Sequence, residues 1–183
     1  MMNIESTVIF GCFQIIPKVF TDNRGSFVKT FHRDLFEQQG LETDWREEYY
    51  STSYQGVLRG LHFQLPPHDH AKLVYCTSGE VLDVVLDLRI DSPSYGTHAM
   101  FQLNAKDAHM VYIPKGCAHG FYTVSEQATM MYKVSTVYAP AHDAGLLWNS
   151  AGIPWPDVNP TMSDRDKAFP SFAEFTTNPF TYR

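Results

Sequence analysis

Apolar positions in this chain fall in short runs with a period close to two, separated by clusters of Gly, Pro, Asn, Asp and Ser. That alternation predicts β-strands buried on one face. We read strands over residues 13–20, 45–51, 57–64, 71–77, 80–88, 97–103, 109–113, 120–124 and 128–134. Turn chemistry lies between them at Asp22-Asn-Arg-Gly25, Pro66-Pro67, Ser78-Gly79, Asp91 to Ser94, Asn104 to Asp107 and Pro114-Lys-Gly116. These residues supply positive φ, a fixed φ or local side-chain caps. Only residues 33–40 and a segment opened by Ser163 carry helical signals, the first ended by Gly40 and the second capped by a serine with acids behind it. Many short strands with frequent turns and two short peripheral helices predict an all-β fold, a sandwich or barrel.

Some of these apolar runs contain charge. Val57-Leu-Arg-Gly-Leu-His-Phe-Gln64 sets Arg59 and His62 three residues apart, Lys72 opens the run Lys72-Leu-Val-Tyr75, and His119 lies between glycines and aromatics. Burying unpaired charge costs several kcal/mol or more, so these four residues are expected to meet around a polar cavity. Asp83, inside the nearly continuous run 80–88, is expected to point toward the same site.

The 183 residues are enough for one domain with a sizeable core, and no repeat or linker divides them, so a single domain over 1–183 is expected. The residues 155–160 read as a loop that leads the tail across the barrel. No apolar run is long enough to cross a bilayer as a helix. A formal charge of -6 argues against nucleic acid as a partner, though a few local cations can still hold a diphosphate. Three cysteines without a paired spacing or a secretory leader point to reduced thiols in the cytoplasm.

Each of these residues also has a plain structural reading. A lone histidine such as His62 is commonly a satisfied core residue, Tyr132 is commonly strand packing, His119 could bond a turn, and Asp166 suits a helix's first turn. His68 and His70, in a Pro-rich loop, are expected to be solvent-exposed. With His119 they also suggest a metal-dependent cupin oxidoreductase. No carboxylate follows His70 until Glu80, however, and Lys72 would repel a divalent cation, so no metal site is expected.

Across nearly its whole length the chain resembles the dTDP-4-dehydrorhamnose 3,5-epimerase family of cupin-type jelly rolls. The matching residues are Pro17-Lys-Val-Phe20, Asp22-Asn-Arg-Gly25, residues 57–64, Lys72-Leu-Val74, Gly79-Glu-Val81, Asp87-Leu-Arg89, Ala118-His-Gly-Phe121, Tyr132-Lys133, Tyr138-Ala-Pro140 and Ser163-Asp-Arg-Asp166. The resemblance implies a dimeric, cytoplasmic, cofactor-free enzyme that inverts carbon 3, carbon 5 or both in a nucleotide-diphosphate-linked 4-keto-6-deoxyhexose. It implies that His62 is the base, Asp166 its orienting partner, Lys72 the cation at the carbon 4 oxygen and Tyr132 the acid on the opposite face. Arg59, His119 and Arg24 would hold diphosphate and sugar. Phe27, Ser51, Glu47, Asp83 and Tyr138 fall at further substrate-binding positions. A non-catalytic sugar-nucleotide binder is the alternative from another class.

Departures from the family pattern cluster on the nucleotide side. Phe27-Val-Lys29 has a base where an acid is usual, Glu47-Glu-Tyr-Tyr-Ser51 replaces Q-D-N-H-S and so loses two amides, and Tyr75 stands for an arginine. Substrates carried on dTDP, CDP or GDP, and inversion at a single carbon, all remain open.

Overall fold

The computed structural model describes residues 2–175 and 180. Its strands are β1 (Asn3–Ser6), β2 (Phe13–Ile16), β3 (Val19–Asp22), β4 (Gly25–Val28), β5 (Glu47–Tyr54), β6 (Leu58–Gln64) and β7 (Lys72–Ser78). There follow β8 (Glu80–Asp87), β9 (His98–Asn104), β10 (Met110–Ile113), β11 (Cys117–Thr123), β12 (Gln127–Val134) and β13 (Asp143–Gly145). Two short helices, α1 (Arg33–Gln38) and α2 (Asp164–Lys167), and a 3-10 turn at Phe172–Glu174 lie outside them.

The strands form a six-stranded sheet in the order β1-β2-β10-β7-β12-β5, a five-stranded sheet in the order β13-β6-β11-β8-β9, and the separate hairpin β3-β4. Every strand pair is antiparallel. This is the expected all-β jelly roll of cupin type. Alternation along each strand builds its layers. Val74 and Cys76 of β7, Met130 and Tyr132 of β12, Val81 and Val85 of β8, and Phe121 of β11 form the core between the two sheets. The intervening residues point outward and are covered. Leu73 and Tyr75 pack under Phe36 of α1, while Val84 and Leu86 pack under Leu146, Ile153 and Phe180. Strands apolar on both faces are what a sheet covered on both sides demands.

One expectation is corrected here. Residues 13–20 are not one strand, because Pro17 carries no N–H for a ladder and the chain breaks there into β2 and β3. Strands β1, β4 and β13 had no legible signal, being four residues or fewer.

Candidate functional site

The core stops short at one end of the sandwich. Lys72 shares the inner face of β7 with Val74 and Cys76, between Ile113 and Val134 of the flanking strands, and lies at the wall of a cavity of about 390 Å³. Glu47, Tyr49 and Ser51 reach the same cavity from β5 by simple alternation, Tyr132 and Val134 from β12, and His119 and Phe121 from β11. Arg59 and His62 line it too, although three residues apart they should point to opposite faces of a regular strand. The pairing of β6 with β11 resolves this. His62 lies opposite His119 and Arg59 opposite Phe121, with a register irregularity between the two pairs. Both side chains thereby face inward.

Glycine makes the irregularity possible. Gly60 has φ of 136°, and a Cβ there would lie 2.5 Å from the Cα of Gly120. The Gly60 amide donates at 3.2 Å to Oδ2 of Asp166, and Oδ1 of the same carboxylate is 3.0 Å from Nε2 of His62. Asp166 is delivered by α2, whose N-cap Ser163 accepts from the Asp166 amide at 3.1 Å. A bridge between Val57 and Thr161 lays the preceding segment against β6. Burial raises the Asp166 pKa, but the hydrogen bond and charge of His62 and the Gly60 amide outweigh it, holding the carboxyl below its ordinary range. With Nε2–H donating to Asp166, Nδ1 is the nitrogen left to act as base. Phe169 lies edge-on to the imidazole at 5.8 Å, in space that only a glycine at 145 leaves open.

Lys72 is 5% exposed, and its Nζ donates at 3.1 Å to the carbonyl of His62. Burial pushes its pKa down to about 8, against the opposing pull of Asp143 and Asp83. The ammonium still predominates at neutral pH. On the neighbouring strand β12, Tyr132 is 8% exposed, and its hydroxyl is 3.0 Å from Ser51 Oγ. Burial drives its pKa well up, so the phenol keeps its proton. His119 is held by Asp83 at 2.7 Å and lies edge-on to Tyr132. Its pKa is lowered, burial outweighing the raising effect of Asp83. Arg59 donates to Ser53 Oγ at 2.9 Å and to the Thr52 carbonyl at 3.2 Å.

The four basic residues expected to converge do so, joined by Tyr132, Ser51, Glu47 and Tyr138. Asp83 stands behind His119, fully buried, and does not line the cavity. Arg24 and Phe27 lie apart from it on the hairpin β3-β4, both exposed, with Arg24 paired to Asp22 at 2.6 Å. His70 corrects its expectation: it is not a solvent-exposed loop residue but lines the cavity, with Nδ1 3.2 Å from both Gln64 Nε2 and Thr136 Oγ1. Burial drops its pKa to about 3, so it stays neutral. His68 is likewise partly buried, its ring 4.4 Å from that of His142.

Tyr49, Gln64, Asp143 and Arg165 also line the cavity without having been singled out. Strand alternation could have found Tyr49 between Glu47 and Ser51, and Gln64 two positions after His62. Nothing in the sequence marks Asp143, whose carboxylate joins the Tyr138 hydroxyl at 3.1 Å to the Arg165 guanidinium at 2.6 Å. Among the described residues, no three His, Cys, Asp or Glu side chains converge as a metal-ligand set.

An imidazole supported by a carboxylate, a protonated phenol and an ammonium on one cavity form an arrangement suited to moving a proton at a carbon beside a carbonyl. Comparison with known proteins agrees. Residues 6–174 match the family model described as dTDP-4-dehydrorhamnose 3,5-epimerase. A Shigella flexneri protein of that name is 40% identical over 168 residues, 90% of this chain and 93% of that one. A 4-keto-6-deoxy sugar epimerase, NovW, from the novobiocin cluster of Streptomyces spheroides, has a TM-score of 0.94 at 35% identity, covering 100% of this chain and 94% of its own. The Legionella pneumophila dTDP-6-deoxy-D-glucose-3,5-epimerase, solved with dTDP-4-keto-L-rhamnose, has a TM-score of 0.95 at 32% identity, with both chains fully covered.

Proposed function

The chain belongs to the dTDP-4-dehydrorhamnose 3,5-epimerase family and is an isomerase of that kind, and from this premise we propose how its residues divide the work. The substrate is a nucleotide-diphosphate-linked 4-keto-6-deoxyhexose. His62 removes a proton from the carbon next to the ketone, and Asp166 stabilises the imidazolium that results. Lys72 meets the carbon 4 oxygen, where negative charge grows as the enolate forms, so its attraction lowers the barrier instead of tightening ground-state binding. Tyr132 delivers a proton to the opposite face and recovers one from solvent, to which the His62 imidazolium gives up its own, so inversion leaves both groups as they began. Arg59, His119, Ser51 and Tyr138 hold sugar and diphosphate, with Asp83 fixing His119. Glu47 occupies the nucleotide side, where its carboxylate accepts from the Tyr138 amide at 3.0 Å and favours a substrate that presents a donor over a bare phosphate. The enzyme works without a cofactor, as one domain, in the cytoplasm. A homodimer would bring Arg24 and Phe27 of one hairpin toward the other subunit's site.

One observation carries this reading: the His62 imidazole, backed by Asp166, shares a single cavity with the Tyr132 phenol and the Lys72 ammonium. To test it, dTDP-, CDP- and GDP-linked 4-keto-6-deoxy sugars are offered in heavy water, and deuterium is located by NMR. Deuterium at carbon 3, carbon 5 or both is expected, and abolished by His62→Ala. Tight binding of every sugar with no exchange would reject catalysis.

A further inference from the structure

We infer that Tyr49 is a positioning residue for Tyr132, the outer jaw of a clamp that holds the phenol toward the carbon it protonates. The inference rests on the role proposed above for Tyr132. Tyr49 on β5 lies directly opposite Tyr132 on β12 in the ladder, so the two side chains leave the same face of the sheet as neighbours. Their rings stack, with centroids 4.9 Å apart and planes inclined by 20°. On another side the His119 ring presents its edge at 6.1 Å, and Ser51 holds the hydroxyl at 3.0 Å. His119 is fixed by a buried carboxylate, Asp83, and Ser51 is a short side chain on a paired strand. Tyr49 confines the ring on the side toward solvent, being 44% exposed against 8% for Tyr132.

Position 49 is one of those where this chain departs from the Q-D-N-H-S pattern, with a ring where the pattern has an amide. An amide can bond a ligand but cannot stack broadly on a phenol, so the change exchanges a polar contact for a wall that limits rotation of Tyr132. Inversion needs this restraint. Once His62 has made the enolate, the proton can return from His62 on the original face or arrive from Tyr132 on the other, and only the second outcome inverts the carbon. A phenol that swings toward the cavity mouth loses that competition while leaving the first step intact.

The ratio of inversion to exchange reports this directly. Wild type, Tyr49→Leu and Tyr49→Phe, each checked for an unchanged thermal transition, are given a 4-keto-6-deoxy nucleotide sugar in heavy water. NMR then counts deuterium incorporated against configuration inverted. Tyr49→Leu is expected to lower inversion per exchange about three- to tenfold, the scale of one aromatic contact, while Tyr49→Phe keeps the wild-type ratio. A change in KM alone with the ratio unmoved would show that Tyr49 merely walls the site and would overturn the inference. So would Tyr49→Phe behaving like Tyr49→Leu, since the hydroxyl and not the ring would then be acting. Absence of exchange in the wild type is a separate result, which would remove the proposed function together with this inference.

Discussion

Replacing Lys72 with methionine should make the protein less active and more stable. The side chain is nearly fully buried, and burial lowers its pKa from the ordinary 10.5 to about 8. That difference corresponds to about 3 kcal/mol of lost solvation in the charged form. Because the native value is depressed, the unfolded chain binds more protons between about pH 8 and 10.5, so wild-type stability rises across that window. Below pH 8 the full cost is present. Methionine of similar length removes it but also removes the donor to the His62 carbonyl, worth about 1 kcal/mol. A net gain of about 2 kcal/mol is expected at pH 7, or about 4–8 °C in Tm for a chain of this size. Above pH 10.5 the gain should give way to a loss of about 1 kcal/mol, where only the missing donor separates the two proteins. Activity moves the other way, since loss of one preorganised charge at a developing oxyanion costs about 10²–10³ in kcat. The wild-type kcat/KM should also fall above pH 8 as Lys72 deprotonates, a limb absent from the variant. Denaturant and thermal unfolding at pH 7 and pH 11, with pH–rate profiles, measure both effects. A variant destabilised at pH 7, or one retaining the alkaline limb, would show that the ammonium is neither strained by burial nor acting on the reaction.

Asp166→Asn leaves an acceptor for the Gly60 amide but removes the charge that supports an imidazolium on His62. The fold should survive while kcat falls about 10²–10⁴, and a rise in KM alone would contradict the orienting role. Asp87 lies far from this chemistry; it accepts from Arg89 at 2.8 Å through both oxygens and from the hydroxyls of Ser92 and Ser94. Asp87→Asn should destabilise by about 3–5 kcal/mol by taking the charge out of the buried carboxylate to which Arg89, Ser92 and Ser94 all donate. Burial raises the Asp87 pKa, but these bonds bring it below the ordinary 3.8. Its contribution is therefore complete above about pH 3.8 and lost as pH falls through the lower native value, a dependence that acid titration of unfolding should find in the wild type and not in the variant.

The strands that carry the site were legible because their alternation is long enough to read. Val57 to Gln64 and Glu80 to Leu88 declared both strand and burial, and Arg59 and His62 within the first declared a cavity, since unpaired basic groups in an apolar run require one. Shorter elements were not legible. Four residues of β1 or β4 show too few periods to separate from a loop, and β13 exists only because it pairs with β6 across from His62. His70 was misjudged for a related reason. A loop between prolines reads as surface, yet this one folds back on Gln64 and Thr136 at the cavity wall.

Local sequence therefore determined which stretches are strands, which residues face a core, and which ionisable groups required company. It could not determine that Arg59 and His62 share a face, because strand periodicity alone puts residues three apart on opposite sides. Only the pairing of β6 with β11, slipped around Gly60 and Gly120, turns both inward. The meeting of His62 with Asp166, more than a hundred positions later, likewise depends on Thr161 docking against β6. Periodicity is a property of neighbours in the chain, whereas register and docking are settled by contacts between segments that no local pattern records.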